Sequence, residues 1–205
     1  EHAGKNTIHV GSLTEICVEK GSELQLGDRG MKFKGRVVFL GDRVRDQYGA
    51  AAIFEALASS PAGMEAARFV DAYGLMSTGD LAHIIHQADA KQAYTQAKLR
   101  GTPTWVRLPK DKWPEQWIKD GLKDPVVPLY LALYGHPDAG GHWEMHCDDH
   151  LRSVGFEPIK EWRSCYWHPT LKLFLVVYVD DFKLSGPNDS ATKGWKLLRD
   201  GPDIE

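Results

Sequence analysis

The chain has 205 residues, 42% hydrophobic and 26% charged, a composition typical of globular domains and unlike that of disordered or fibrous chains. No apolar run reaches the length of a membrane span, so no membrane partner is expected, and the net charge of −3 excludes a uniformly basic protein. The three cysteines, Cys17, Cys147 and Cys165, are far apart and odd in number. This pattern argues against a disulfide framework and favours an intracellular location, in the cytoplasm or nucleus.

The first part of the chain contains one clear strand and one clear helix. Residues 1–30 are rich in glycine and weakly periodic, and we interpret them as an N-terminal arm or extension. Residues 37–40, which read Val-Val-Phe-Leu, predict a strand. Ser60 followed by Pro61 is a favourable helix start, and Gly74 is a favourable stop.

The rest of the chain alternates short strands and helices. An apolar stretch over 83–88 predicts a strand that ends at Asp89, and a helix is expected over 90–99. A further helix is predicted over 142–154, followed by a hairpin whose second strand spans 171–179. Because strands and helices alternate without a regular βαβ rhythm, the pattern predicts the α+β class.

Basic residues are concentrated in two stretches. Six cations against one acid lie between Arg29 and Arg45, and five more between Arg107 and Lys123 are interleaved with Trp105, Trp113 and Trp117. Cations beside aromatic rings suit phosphate contacts and base stacking. A solvated surface with tryptophans anchored in the core remains the alternative for each stretch.

Two adjacent carboxylates, Asp180 and Asp181, follow the apolar strand. Like charges at close range repel, so a fold tolerates such a pair at a turn when a cation neutralises it. Hard divalent cations such as Mg²⁺ prefer carboxylate oxygens. Phosphoryl transfer with two metal ions needs further carboxylates on rigid elements, and Asp89, at the exit of its own strand, suits that role.

These residues belong to a larger set of short blocks that occur in a characteristic order. The blocks are Lys34–Val38, Asp89–Tyr94, Leu133–Gly135 with Trp143 downstream, Val154–Phe156 and Tyr178–Asp181. Together they resemble the reverse transcriptase domain of copia-type retrotransposons, over roughly residues 32–186. The last block, Tyr-Val-Asp-Asp, is only moderately specific alone, because short motifs recur by chance.

The resemblance implies a right-hand polymerase, with an antiparallel palm sheet packed against helices. It assigns residues 31–83 and 100–135 to the fingers, and 84–99 and 136–186 to the palm. Residues 187–205 would begin the region after the palm, and no counterpart of the thumb is expected in this sequence.

The resemblance also implies a role for each of eight residues. The catalytic ligands of Mg²⁺ or Mn²⁺ would be Asp89, Asp180 and Asp181. The residues in contact with the nucleotide would be Lys34, Arg36, Tyr94 and Asp138. The residue at the primer end would be Tyr178. Tyr94 would be the steric gate against a ribose 2′-hydroxyl. The two basic residues would bind the triphosphate through charge-assisted contacts.

One block departs from the family pattern. After Leu133–Gly135, Asp138 stands where the family usually carries glutamine, and Gly141 stands where it usually carries arginine. A carboxylate beside a triphosphate is unfavourable unless a metal ion or a proton intervenes. Two hypotheses therefore stay open: an active enzyme, and a decayed or repurposed fold that binds nucleic acid or protein.

The leading hypothesis is an RNA-directed DNA polymerase that adds dNTPs to a primer on an RNA or DNA template. A third interpretation concerns His142, His146 and His150, which recur every four residues and would share one helix face. Such a face could bind zinc, although a set of surface or partly buried histidines is the simpler interpretation. The sequence does not determine the oligomeric state.

Overall fold

The computed structural model describes residues 7–25, 27–54, 61–78 and 81–205. The fold is α+β, as predicted from the sequence. The strands are β1 (His9–Lys20), β2 (Lys32–Phe39), β3 (Arg45–Asp46), β4 (Ser77–Thr78), β5 (Leu81–Asp89), β6 (Thr104–Arg107), β7 (Val126–Pro128), β8 (Glu157–Pro158), β9 (Cys165–His168), β10 (Leu173–Tyr178) and β11 (Asp181–Pro187). The α-helices are α1 (Met64–Leu75), α2 (Ala93–Gln96), α3 (Glu115–Lys119), α4 (Ala139–Ser153) and α5 (Asn188–Arg199). Two single turns of 3₁₀ helix occupy Gly41–Arg43 and Lys110–Lys112.

The chain divides into two compact units. Unit 1 contains the described residues within 1–55 and 99–139, and unit 2 contains those within 56–98 and 140–205. None of the helices in the described ranges combines the length and the apolar character needed to cross a membrane. All three cysteines are free.

Unit 1 is built on a five-stranded sheet. Its strand order is β2-β1-β6-β7, with the short strand β3 also paired to β1. β1 and β2 form a long antiparallel ribbon in which eight residue pairs run from Leu13–Phe39 to Lys20–Lys32. β1 therefore lies in the segment interpreted from the sequence as an arm. The base of the ribbon is anchored by Phe39, which is buried with Val44 and Val106.

Gly135 explains the Leu-Tyr-Gly block of unit 1. The backbone of Gly135 has a φ of 86°, and a Cβ at this position would collide with the carbonyl oxygen of Phe39. The neighbouring carbonyl of Tyr134 accepts a 2.7 Å hydrogen bond from the Phe39 N–H. Only glycine satisfies both the left-handed backbone and the close approach to this strand.

Unit 2 is built on a six-stranded antiparallel sheet with the order β4-β5-β11-β10-β9-β8. Residues 173–177 of β10 are buried on both faces of the sheet, which requires cover on both sides. Phe174 and Val176 pack with α1 on one face. Leu173 points to the opposite face and lies against Gly194 of α5.

Several helix boundaries differ from those predicted. α1 begins at Met64 with Gly63 as its N-cap, whereas the sequence favoured a start at Ser60 and Pro61; Ser60 lies outside the described residues. The helix expected over 90–99 is only the four-residue α2, because extended backbone resumes at Ala97. Such errors are expected where capping signals compete with tertiary packing.

Candidate active site

The register of β5 against β11 brings Asp89 and Asp181 together. Seven residue pairs run from His83–Pro187 to Asp89–Asp181, so the two acids lie directly opposite each other. The next residue, Ala90, donates a 2.7 Å hydrogen bond from its N–H to the carbonyl oxygen of Asp180. Asp89 and Asp181 thus form a non-hydrogen-bonded pair, the type in which opposing side chains approach most closely.

Asp180 lies in the two-residue turn between β10 and β11. The turn is closed by the pair Tyr178–Asp181, which leaves Val179 and Asp180 as the loop residues. Val179 has a φ of 56°, a region that β-branched residues rarely adopt. Its carbonyl oxygen accepts a 2.6 Å hydrogen bond from the indole Nε1–H of the buried Trp143. Backbone strain of this kind persists where the surroundings fix it, and it is frequent at functional sites.

Asp181 lies close to two further carboxylates, those of Asp89 and Asp180. The pKa of Asp181 is raised by partial desolvation of its carboxyl group, by its hydrogen bond with the Asp89 side chain and by the charges of Asp89 and Asp180. A hydrogen bond between two carboxyl groups requires a proton on one of them. The pair therefore favours a shared proton, or another cation in its place, over two bare charges.

The three acids only partly meet the geometric requirement for a metal site. Within the residues that the structure describes, no group of three or more His, Cys, Asp or Glu side chains is arranged to hold a metal ion. Asp89 and Asp181 nevertheless form a carboxylate pair of the type that Mg²⁺ or Mn²⁺ prefers. The adjacent Asp180 is exposed at the turn, and these residues are not arranged with it as a set of three ligands.

The absence of a metal-binding group in the described residues also concerns the histidines of α4, for which zinc binding was the third interpretation of the sequence. His142 is buried, and a ring nitrogen of His150 lies 3.0 Å from the carbonyl oxygen of Leu197. His150 thus contacts α5, and the ranges described contain no zinc-like cluster.

The other residues assigned to unit 2 lie on either side of the acids in the chain. Tyr94 is half-buried in α2. Ala93, at the start of α2, and Ala97, directly after its end, are both buried. Tyr178 is 53% exposed at the end of β10 and pairs directly with Asp181. The steric-gate and primer-end roles of the two tyrosines remain predictions.

Lys34 and Arg36 lie on one face of the ribbon in unit 1. Cross-strand partners share a face, and the pairs Ile16–Arg36, Val18–Lys34 and Lys20–Lys32 therefore place four cations together. The opposite face carries the acids Glu15 and Glu19. Arg36 also stacks over the Tyr134 ring, with 5.7 Å between the guanidinium carbon and the ring centroid. This separation of charge by face suits an anionic ligand on the basic side.

The second basic stretch is arranged differently. Three of its five cations form ion pairs at the surface: Arg107 with Asp124 at 2.8 Å, Lys112 with Glu15 at 3.2 Å and Lys119 with Glu115 at 3.5 Å. Trp113 donates its indole N–H to the carbonyl oxygen of Leu108, at 3.0 Å. These contacts favour the interpretation of this stretch as a solvated surface with anchored tryptophans.

Asp138 lies in a buried polar cluster of unit 1. It is 8% exposed, and His9 and His136 are also buried. The Asp138 N–H donates to Nδ1 of His136 at 3.2 Å. Burial lowers the pKa of His9, and the charges of Asp138 and Asp46 oppose this shift. The predicted contact between Asp138 and a nucleotide stays a prediction.

Comparison with protein families gives the identity of the fold. The family model described as "Reverse transcriptase (RNA-dependent DNA polymerase)" matches residues 25–200 of the chain. The chain belongs to the reverse transcriptase family. The match includes all eight residues that the sequence resemblance assigned to the site, together with helix α5, which follows the acid pair.

Comparisons with individual proteins add less to this domain. No curated protein gives a match to it. A solved structure of telomerase from Candida albicans, in complex with a fragment of telomeric RNA, is similar at 11% identity and a TM-score of 0.39. The alignment covers 96% of this reverse transcriptase domain, which spans 39% of the telomerase chain.

Proposed function

We propose that this domain is an RNA-directed DNA polymerase that adds dNTPs to the 3′ end of a primer on an RNA or DNA template. The observation that carries the proposal is the pairing of Asp89 with Asp181 across β5 and β11, beside Asp180 at the turn. Family membership supports the same reaction class. We also propose an intracellular location.

The acids would act by holding cations. Mg²⁺ or Mn²⁺, when bound, would lower the pKa of the primer 3′-hydroxyl and stabilise negative charge on the phosphates. Asp89 and Asp181 would hold one position through opposing carboxylates. The pKa of Asp181 is raised by desolvation and by the neighbouring carboxylates, and a cation would stabilise its charged form. Asp180 would contribute from the turn fixed by Trp143.

Other side chains would bind and orient the substrates. The basic face that includes Lys34 and Arg36 would bind the triphosphate through charge-assisted hydrogen bonds. Tyr94 would pack against the sugar and exclude a 2′-hydroxyl, and the exposed Tyr178 would contact the primer end. Each of these roles predicts a selective change in one kinetic parameter.

Primer extension by the purified protein tests the proposal. We expect incorporation with Mn²⁺ or Mg²⁺ that is lost in both Asp89→Asn and Asp180→Asn. Asp149→Asn, an exposed aspartate of α4, is the matched control and should extend primers like the unmodified protein. Equal extension by the Asp180→Asn variant and the unmodified protein would remove the catalytic assignment.

A second candidate is a nucleic-acid-binding domain that has lost catalysis. The departures at Asp138 and Gly141 and the incomplete clustering of the three acids favour it. Calorimetry with Mn²⁺ separates the two candidates. Two-site binding that disappears in Asp89→Ala supports the enzyme, whereas binding of a template–primer without any Mn²⁺ binding supports the second candidate.

A further inference from the structure

A short extended segment covers the outer edge of β5 at Asp89. The N–H of Asp89 donates to the carbonyl oxygen of Glu205 at 3.2 Å, and the N–H of Glu205 donates to the carbonyl oxygen of Asp89 at 2.9 Å. Ala90 then pairs with Ile204, and the N–H of Lys91 donates to the carbonyl oxygen of Asp203 at 2.9 Å. Asp89 therefore lies between two neighbouring segments, with Glu205 on one side and Asp181 of β11 on the other.

The side-chain amide of Gln96 completes this arrangement. Its Nε2 donates to the carbonyl oxygens of Lys91 at 2.7 Å and Asp203 at 3.2 Å. Its Oε1 accepts a 2.7 Å hydrogen bond from the N–H of Asp203. Lys91 and Asp203 share one backbone hydrogen bond, from the Lys91 N–H. The Gln96 amide takes the place of the reciprocal one, because it accepts from the Asp203 N–H and donates to the Lys91 carbonyl oxygen. One side chain satisfies three backbone groups, two of them more than 100 residues away in the chain.

Buried residues anchor the segment to the rest of unit 2. Ile204 is 5% exposed and Pro202 is fully buried. Arg199 at the end of α5 donates from Nε to the carbonyl oxygen of Ile204 at 3.3 Å. Lys91 also forms ion pairs with Asp203 and Glu205, both at 3.5 Å, but exposed pairs of this kind contribute little. The hydrogen bonds and the buried side chains carry the attachment.

We propose that Gln96 and the segment 203–205 position Asp89 for metal binding. The inference rests on the proposed polymerase function. Asp89 is the last residue of β5. Without the segment 203–205, one edge of the strand would be uncovered at this end, and strand ends of that kind open most readily. A reacting constellation must hold its groups to within about half an ångström, and neighbours that make no contact with substrate often supply that order. Gln96 and residues 203–205 are positioning residues in this sense.

Replacement of Gln96 by methionine tests the proposal. Gln96→Met keeps the length of the side chain and removes all three of its hydrogen bonds. Gln116→Met is the matched control, because Gln116 is an exposed glutamine of α3 whose amide makes one side-chain hydrogen bond, to Asp120. The measurements are amide hydrogen exchange at Asp89 and Glu205, Mn²⁺ affinity by calorimetry, and kcat and KM for primer extension.

We expect the Asp89 and Glu205 amides of Gln96→Met to exchange faster, and Mn²⁺ affinity and kcat to fall about 10-fold or more. The KM for dNTP should stay within about twofold. A general loss of folded protein would lower the apparent kcat and the number of Mn²⁺ sites, but it would leave the Mn²⁺ dissociation constant unchanged, so a weaker dissociation constant distinguishes the positioning role from misfolding. If the methionine variant does not fold, Gln96→Glu, which keeps the acceptor for Asp203, is measured instead.

Two outcomes overturn the inference and are distinguishable. If the unmodified protein extends primers and Gln96→Met retains its kcat and Mn²⁺ affinity, the positioning role is wrong while the proposed function stands. If the unmodified protein neither binds Mn²⁺ nor extends primers, the proposed function fails, and the positioning role for catalysis fails with it.

Discussion

The indole of Trp143 donates a 2.6 Å hydrogen bond to the carbonyl oxygen of Val179, one residue before Asp180. Trp143 is 1% exposed in α4, whereas Val179 lies at the turn with a positive φ. The tryptophan that the sequence resemblance marked only as a spacing feature therefore fixes the backbone of the acid-bearing turn.

Trp143→Phe should weaken both stability and activity. The change leaves a carbonyl oxygen without its donor and a small void in a buried site, which together cost about 1–3 kcal/mol of unfolding free energy. Because the turn carries Asp180, kcat should fall by a larger factor than the KM for dNTP changes. Chemical denaturation and steady-state primer extension measure the two effects.

Trp113→Phe is the control for this substitution. Trp113 makes a similar 3.0 Å indole bond to Leu108, but it lies in unit 1. The control should lose stability and retain kcat. Equal losses of kcat in both variants would show that the effect of Trp143→Phe is only a loss of folded protein.

Asp181→Asn should stabilise the fold while abolishing catalysis. Like charges directly opposite on neighbouring strands destabilise a sheet by about 0.2–1 kcal/mol, and asparagine removes one of them. Primer extension should fall by about two orders of magnitude or more, because a metal ligand is lost. A thermal melt in the absence of divalent cations, compared with that of Asp149→Asn, measures the first effect.

The stability gain should depend on pH with a defined sign. The folded-state pKa of Asp181 is raised, so the folded state binds this proton more readily than the unfolded state does. The unmodified protein thus loses stability from this group as the pH rises from the ordinary aspartate range through the raised pKa. Asp181→Asn should show its largest advantage above that range and little advantage below it.

Mn²⁺ binding should weaken in acid, with the same cause. A metal ion must displace the proton that the raised pKa of Asp181 favours, so binding releases protons as the pH approaches that pKa. Calorimetry in two buffers of different ionisation enthalpy measures this release. An affinity that is independent of pH between about 4 and 7 would contradict the assignment of Asp181 as a ligand.

Lys34→Ala and Arg36→Ala should raise the KM for dNTP with a smaller effect on kcat. Both side chains lie on the basic face of the ribbon, and loss of one charge-assisted contact costs about 1.5–3 kcal/mol of binding. Lys123→Ala, an exposed lysine of unit 1, is the control. A fall in kcat without a change in KM would argue against triphosphate binding on this face.

Asp138→Gln restores the residue usual in the family and should nevertheless destabilise unit 1. Asp138 is 8% exposed beside His9, so a longer side chain overfills the site, at a cost of about 1–3 kcal/mol. Denaturation of the variant, with Asp42→Asn as an exposed control, measures the cost. An unchanged midpoint would show that the side chain at 138 can leave the buried cluster.

The elements that carry the acids were predictable because their signals are local. The apolar run before Asp89 and the hairpin that ends in Asp180 and Asp181 were both predicted as strands, and both are strands. The family model confirms the reverse transcriptase family that the ordered blocks indicated, and the copia-type origin stays a prediction. Roles that depend on a bound nucleotide or primer stay predictions.

The features that the sequence did not predict have different causes. α5 has buried residues at 191, 194, 195 and 198, and this helical spacing is a local signal that is visible in the sequence. β1 is rich in polar and small residues, and its pairing with β2 supplies what its own sequence does not signal. Gln96 was missed for a stronger reason, because two of its three bonds join backbone groups 107 residues away.

The segment 203–205 also has a practical consequence for producing the protein. The family match ends at residue 200, which makes that residue a natural place to cut a recombinant fragment. Such a fragment would retain every acid of the site but would leave the backbone groups of Asp89 without their partners on one side. An uncovered strand edge pairs readily with another chain, so the shorter fragment should aggregate where the longer one stays dispersed.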